Sequence, residues 1–406
     1  MEAKNSIGAA VGILYASYFT FILSALLITR SSSIAGYASN AVVIIIIAAF
    51  LLTNLGPLSK KTTFGQLLLF LFTIPVIGLI SVVRFDIYSI LIFLKIILFV
   101  LFFSLANITR QEFCDFLNKT YVAYALLSIL FFFNLMPFTL YEKWDHPTMY
   151  VDTSFFSYYI FYGLEGGASV MDSYSGLVLI INVFLNKSEN RKYYIALSIF
   201  FVLWTLKMTP LAGLLVSILG YFFIRNRSVA IVTILTGNII FSLTIYALVN
   251  QIDPFGPELP FWEICYGATH GRSMIWEQQF NIMLKEYQLV NYLVGGYDTA
   301  TFEVPALQIW GQSTGEYYDN PHNTYLLMLF RSPLLFVVYY IVLVCQAIIR
   351  YKRNEFVIVL FILIVCYTNS SIISLQNPVY IFAILFLLVS KQETQHHENT
   401  LPASGE

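Results

Sequence analysis

Three cations, a histidine and two acids are the residues of this chain best placed to do chemistry. Arg272 stands beside Gly271 at the head of an amphipathic run. Its guanidinium fork suits a phosphate or pyrophosphate, with a lipid-headgroup contact as the alternative. Asn320-Pro321-His322-Asn323 reads as a helix start, with Asn320 as cap, Pro321 in the first turn and His322 within that turn. Free backbone N–H groups and the positive dipole end favour an anion there and disfavour imidazolium. A neutral His322 can act as general base towards a hydroxyl, and a structural hydrogen bond is the plain alternative. Arg331 lies nine residues beyond His322. In one straight helix it would be about 13 Å deeper and on the opposite face, a costly place for a bare arginine. Pro333 therefore predicts a break, with 322–332 as an interfacial helix and both His322 and Arg331 at the outer surface. Lys207 ends one apolar segment just before Thr209-Pro210 opens the next, where its ammonium can snorkel or bind an anionic group. Glu165, followed by Gly166-Gly167, and Asp172 lie where a loop meets a span and are the acidic candidates for a second role.

The elements that must position these residues are apolar helices. The 406 residues are 58% hydrophobic and 11% charged, and mean hydropathy is +0.74. Soluble domains carry about 25% charged residues. The composition predicts an all-α integral membrane protein, and a net charge of -1 suggests no nucleic-acid partner. A span needs roughly 20 apolar residues. The candidates are 6–29, 37–55, 63–83, 87–106, 120–138, 171–186, 193–207, 211–224, 228–249, 323–349, 356–374 and 376–390, about twelve transmembrane helices in all. The first run is too long for a signal-peptide core and is expected to be an uncleaved span. With both termini cytoplasmic, fourteen Lys/Arg residues fall on the inner side and seven on the outer, which favours N-in and C-in. The expected organisation is then spans one to nine over 1–249 with a smaller outer loop at 139–170, a large outer loop at 250–322, spans ten to twelve over 323–390, and a polar cytoplasmic tail at 391–406.

The loops differ in character. In 272–288, Ile275, Trp276, Phe280, Met283, Leu284 and Tyr287 recur at helical spacing, with Glu277, Gln278, Gln279, Lys285 and Glu286 filling the other face. That is an amphipathic helix lying on the spans or the outer leaflet. Asn107 to Lys119 carries a capping box, Thr109-x-x-Glu112, and predicts a separate interfacial helix. The aromatic residues of 139–170 suit an interfacial belt or sugar stacking. Lys95 stands in mid-span with no acidic residue in a neighbouring span, so its expected partner is a carbonyl, Ser or Asn. The four cysteines are scattered without a C-x-x-C, and no metal-ligand cluster stands in either outer loop. His396-His397 in the tail reads as solvated.

Taken in order, Gly271-Arg272 with Trp276 four residues on, the Gly295-Gly296 pair, and Pro321-His322-Asn323-Thr324-Tyr325-Leu326 opening a span resemble the bacterial O-antigen polymerase and O-antigen ligase superfamily of integral membrane glycosyltransferases. About 55 residues carry the resemblance. It implies transfer of a glycan from undecaprenyl pyrophosphate at the periplasmic face of the bacterial inner membrane, without a nucleotide, cofactor or metal. The polymerase passes the growing glycan to another lipid-linked repeat unit, and the ligase passes it to lipid A–core. Carried over, the family's functional residues correspond to Arg272 and His322 as catalytic groups. Lys207, Arg331, Asn323, Tyr325, Glu165 and Asp172 become candidates for holding the substrate or its pyrophosphate. Many relatives carry Ser-Arg-Gly where this chain has Lys207-Met208-Thr209-Pro210, so the charge survives without the bidentate fork. An arginine common in the smaller loop is also missing. The implied partners are the lipid-linked oligosaccharide and membrane lipid, with a chain-length regulator as a further candidate. The rival from another class is a flippase or secondary transporter, which would require a polar central cavity and paired intramembrane charges.

Overall fold

The computed structural model describes residues 2–27, 33–54, 64–83, 87–106, 108–133, 135, 150–152, 157–159, 168–205, 208–254, 256, 260–269, 272–295, 304–305, 317–318, 323–367 and 379–389. Among them are sixteen helices: α1 (Glu2–Leu27), α2 (Ser33–Thr53), α3 (Phe64–Val83), α4 (Ile87–Leu105), α5 (Arg110–Phe132), α6 (Ala168–Phe184), α7 (Arg191–Thr205), α8 (Met208–Phe223), α9 (Arg227–Val249), α10 (Phe261–Thr269), α11 (Arg272–Glu286), α12 (Leu289–Val294), α13 (Thr324–Arg331), α14 (Pro333–Ile349), α15 (Arg353–Cys366) and α16 (Val379–Leu388). Two short antiparallel ribbons complete the list, Tyr150–Asp152 with Ser157–Tyr159 and Val304–Pro305 with Tyr317–Tyr318. The architecture is all-helical in substance, as the composition predicts, and every expected apolar run carries a helix.

One boundary differs from expectation, and another follows the break predicted at Pro333. The interfacial helix expected at 107–119 and the span after it are one helix, α5. Its capping box starts it at Thr109, whose side chain accepts from the Glu112 N–H. It then continues because its mid-helix polar groups find partners. Asn118 and Asn182 of α6 exchange amide hydrogen bonds at 3.1 and 2.7 Å, and the Thr120 hydroxyl donates back to the Phe116 carbonyl at 2.8 Å. The second boundary divides the run 323–349, which is two helices. Ser332, with φ -161° and ψ 72°, separates α13 from α14, and Pro333 opens the latter. Pro333 cannot donate a backbone N–H and its ring clashes with the preceding turn, so the predicted break is present.

One helix among the described residues is long and apolar enough to cross a membrane: α9, with only 17% of its apolar window buried. That low burial separates it from the core helix of a soluble protein. It exposes Val232, Leu235, Ile239, Ile240 and Leu243, and α8 exposes Leu215, Phe222 and Phe223. Shorter apolar helices surround it.

The core is centred on α15 and α16, whose described residues are buried nearly all round. Apolar side chains from α1, α2, α4, α5, α6, α7 and α8 close over them. Gly176 of α6 lets that happen: a Cβ there would come within 2.7 Å of Phe361 of α15. Polar side chains tie helix to helix inside the bundle. Lys95 of α4 donates to Asn40 of α2 at 3.3 Å, the kind of neutral partner expected for it. Tyr340 of α14 donates to Asn238 of α9 at 2.6 Å.

Candidate functional site

The amphipathic segment forms α11, and Arg272 is its first residue. Ser273, Ile275, Trp276 and Gln279 are its buried residues. Two positions depart from the expected faces. Leu284 is exposed, whereas Gln279, assigned to the outer polar face, is wholly buried. Gln279 stands three residues after Trp276 and seven after Arg272, on one side of the helix. That spacing was present in the sequence, and the glutamine's polarity masked it.

The buried face of α11 packs on the last turns of α9 and on α13, where Ile245, Ile275, Trp276, Leu326 and Phe330 form one apolar cluster. Ring contacts fix the direction. The Phe280 and Phe330 rings meet at 5.2 Å, and Tyr287 donates its hydroxyl to the Phe330 carbonyl at 2.8 Å. At the other end, Trp276 meets Phe241 of α9 at 6.2 Å, Phe241 meets Tyr367 at 4.8 Å, and Tyr367 meets Tyr325 at 4.6 Å. The early part of α11 is thus linked to the first turn of α13, and the late parts meet each other. These contacts pack α11 against α13 and tie both to α9.

Arg272 and Asn323 stand at the N-termini of these two packed helices. Arg272 is half-buried, and burial holds its guanidinium below the usual arginine range. It also sits at the positive end of its own helix dipole, so an anion brought to it would relieve two costs at once. Asn323 caps α13 by accepting the Leu326 N–H at 3.0 Å. Its Nδ2 is wholly buried and has no hydrogen-bond partner among the described residues. The cap corrects an expectation: it is Asn323 and not Asn320, and the helix begins at Thr324. The side-chain oxygen of Asn323 reaches the N–H three residues on, and that contact sets the start. His322, Lys207 and Glu165 lie outside the described residues.

Helix α13 is enclosed by protein and does not lie as an amphipathic helix with an open apolar face. Thr324, Tyr325, Leu326, Leu327, Met328 and Phe330 are all buried. Leu326 and Phe330 join the cluster with α11, Met328 joins Val76, Ile80, Phe93, Val294 and Leu335 from the helices on its other side, and Tyr325 belongs to the main core. The helix is wedged where three apolar clusters meet. This separates Arg331 from the other candidates. It ends α13, about 12 Å along the axis from Asn323, near the Tyr287 end of α11. Tyr325 is also spoken for. Its hydroxyl donates to the Leu363 carbonyl of α15 at 2.9 Å, and its ring packs on Tyr340 and Tyr367. It anchors α13 to the core.

Asp172 stands apart from this group. It lies in the second turn of α6 and is wholly buried. Its helix packs on α5, α7, α8 and α15, and the Tyr121–Ser175 hydroxyl pair, at 2.8 Å, lies one turn along. Among the described residues no group of His, Cys, Asp and Glu could hold a metal ion. No protein-family model matches this chain, and no curated protein matches it.

Proposed function

We propose that this chain is a polytopic inner-membrane glycosyltransferase of the O-antigen polymerase kind. It moves a growing glycan from undecaprenyl pyrophosphate to a lipid-linked repeat unit at the periplasmic face. The proposed topology is about twelve spans with both termini cytoplasmic, which accords with the apolar helices and their exposed lipid-like faces. The observation that carries the reaction is the packing of α11 on α13, with Arg272 and Asn323 at their N-termini. A half-buried arginine opens one helix, and the next is capped by an asparagine whose buried amide donor has no partner among the described residues and which follows His322 in the sequence. That set suits a pyrophosphate leaving group.

The chemistry needs little else. The donor is already activated, so the protein must neutralise charge on the departing pyrophosphate and accept a proton from the acceptor hydroxyl. Arg272, with Lys207 as the second cation, serves the first task and His322 the second. Arg331 is left out of the clamp because it lies at the far end of α13.

The test is the banding of lipopolysaccharide from a strain lacking the gene. A single core-plus-one-repeat band, restored to a ladder by the wild-type gene and not by Arg272→Ala, supports a polymerase. Complete loss of antigen with accumulated lipid-linked polymer turns the assignment to a ligase. One observation favours the carrier reading: Asp172 adds a buried carboxyl, besides Lys95, to the helix interior. Transport of lipid-linked repeats by the reconstituted protein, with no glycosyl transfer, would decide for it.

A further inference from the structure

Three connections at one end of the bundle are locked to one another. Arg353 at the start of α15 donates to the Tyr221 carbonyl of α8 at 2.7 Å and lies over the Tyr221 ring at 4.1 Å. Tyr351 donates to the Ile224 carbonyl at 2.8 Å. Asn354 donates to the Phe184 carbonyl at the end of α6 at 3.1 Å, and the Phe184 and Tyr221 rings meet at 4.8 Å. The connections 185–192, 224–227 and 350–355 are therefore one surface.

That surface is strongly basic. The three segments hold eight basic residues against two acidic ones, six positive charges net. One of the acids, Glu355, is buried and already engaged by Arg110 at 2.6 Å and Lys352 at 3.8 Å. Lys187, Arg191, Lys192, Arg225, Arg227 and Lys352 are all exposed. The first turns of α7 and α9 contain no acidic residue, so the helix dipoles add to the positive field where sequences ordinarily place Asp or Glu to oppose it.

We infer that this end is a docking surface for the headgroups of anionic phospholipids. The apolar flank selects lipid over a soluble acidic protein. Phe222 and Phe223 of α8 and Val229 and Val232 of α9 are exposed beside Arg225 and Arg227. A phospholipid meets both surfaces at once, phosphate on the guanidinium and ammonium groups and acyl chain on the apolar side chains. An acidic polypeptide satisfies only the charge. The surface binds several headgroups side by side and holds that end in the leaflet. The inference rests on the membrane-spanning part of the proposed function and not on glycosyl transfer.

The test uses the full chain purified in an uncharged detergent. Thermal unfolding is followed while phosphatidylglycerol, phosphatidylcholine or inorganic phosphate is added at equal phosphate concentration. Phosphatidylglycerol is expected to raise the midpoint by several degrees, to act at roughly tenfold lower concentration than phosphatidylcholine, and to lose most of its effect at high salt. The triple variant Lys187→Gln, Lys192→Gln, Arg227→Gln should lose most of that response. An equal response to both lipids overturns the inference, as does an undiminished response in the variant. A full shift from inorganic phosphate alone overturns it too, because the surface would then be a small-anion site. Should the variant not fold, the lipid selectivity and salt dependence of the wild type decide by themselves. A failure of the glycosyltransferase reading leaves each of these outcomes unchanged.

Discussion

The hydroxyl of Tyr287 donates to the backbone carbonyl of Phe330 at 2.8 Å, closing the far end of the pair formed by α11 and α13. Phe330 is the penultimate residue of a buried helix that ends at Arg331, so its carbonyl has no helical successor to accept from. Tyr287→Phe removes the donor and keeps the ring contact with Tyr292. The expected destabilisation is about 0.5–1.5 kcal/mol, read as a lower unfolding midpoint in detergent. Because the bond lies away from Arg272 and Asn323, transfer activity of the folded fraction should change little. A large loss of activity with unchanged stability would mean that the paired helices do more than position the opposite end.

The separation of Arg331 from Arg272 makes a sharper prediction. If the pyrophosphate is held where α11 and α13 begin, Arg272→Ala should lower transfer by roughly 100- to 1,000-fold, the usual consequence of removing a preorganised charge donor. Arg272→Lys should recover only part of it, since an ammonium cannot present two parallel donors. Arg331→Ala should leave most activity in place. The comparison is made on lipopolysaccharide ladders in cells and on transfer between lipid-linked repeats in vitro. Equal losses at the two positions would refute the proposed placement of the leaving group.

Glu277, half-buried on α11, has its carboxyl pushed above the usual range by desolvation. A raised folded-state pKa means that the folded protein holds the proton more tightly than the unfolded chain. The associated stability is present below the unfolded value and is lost as pH rises through the folded one. At neutral pH the ionised form is carried at a cost. Glu277→Gln should therefore raise the unfolding midpoint at pH 7 and make little difference near pH 4, about where an unfolded glutamate titrates. A variant less stable than wild type at pH 7 would point to a favourable partner for the charge.

Much of this arrangement was legible in the residues, and the exceptions have physical reasons. Apolar runs announce helices because a buried backbone must satisfy itself. Pro333 announced the break before α14, and Lys95 announced a neutral partner, found in Asn40. Hydropathy does not say what lies on the other side of a helix. It therefore missed that α13 is enclosed by three clusters, and that Gln279 belongs to the buried face of α11. The continuity of α5 was hidden for the same reason. Asn118 and Thr120 look like the end of an interfacial segment until Asn182 and Tyr174 are placed opposite them. The cap moved from Asn320 to Asn323 because both are good caps by type, and only the geometry of the turn selects between them.

The Asn118–Asn182 pair offers the cleanest test of how the helices are held together. Each amide donates to the other, Asn182 also donates to the Val178 carbonyl at 2.8 Å, and Asn186 donates to the Asn182 oxygen at 2.7 Å. Replacing Asn118 with Leu strips one donor and one acceptor from a buried network. Replacing Asn182 with Leu strips the centre of it and should destabilise more. The double variant removes both halves of the exchange, so its loss should be smaller than the sum of the single losses. Interhelical hydrogen bonds inside membrane proteins couple by about 0.6 kcal/mol on average and rarely beyond about 1.7. With two bonds exchanged, a coupling of roughly 1–1.5 kcal/mol is expected. Unfolding of the four proteins in a mixed detergent series measures it. Strictly additive losses would show that the amides are satisfied independently and that apolar packing alone sets the α5–α6 contact.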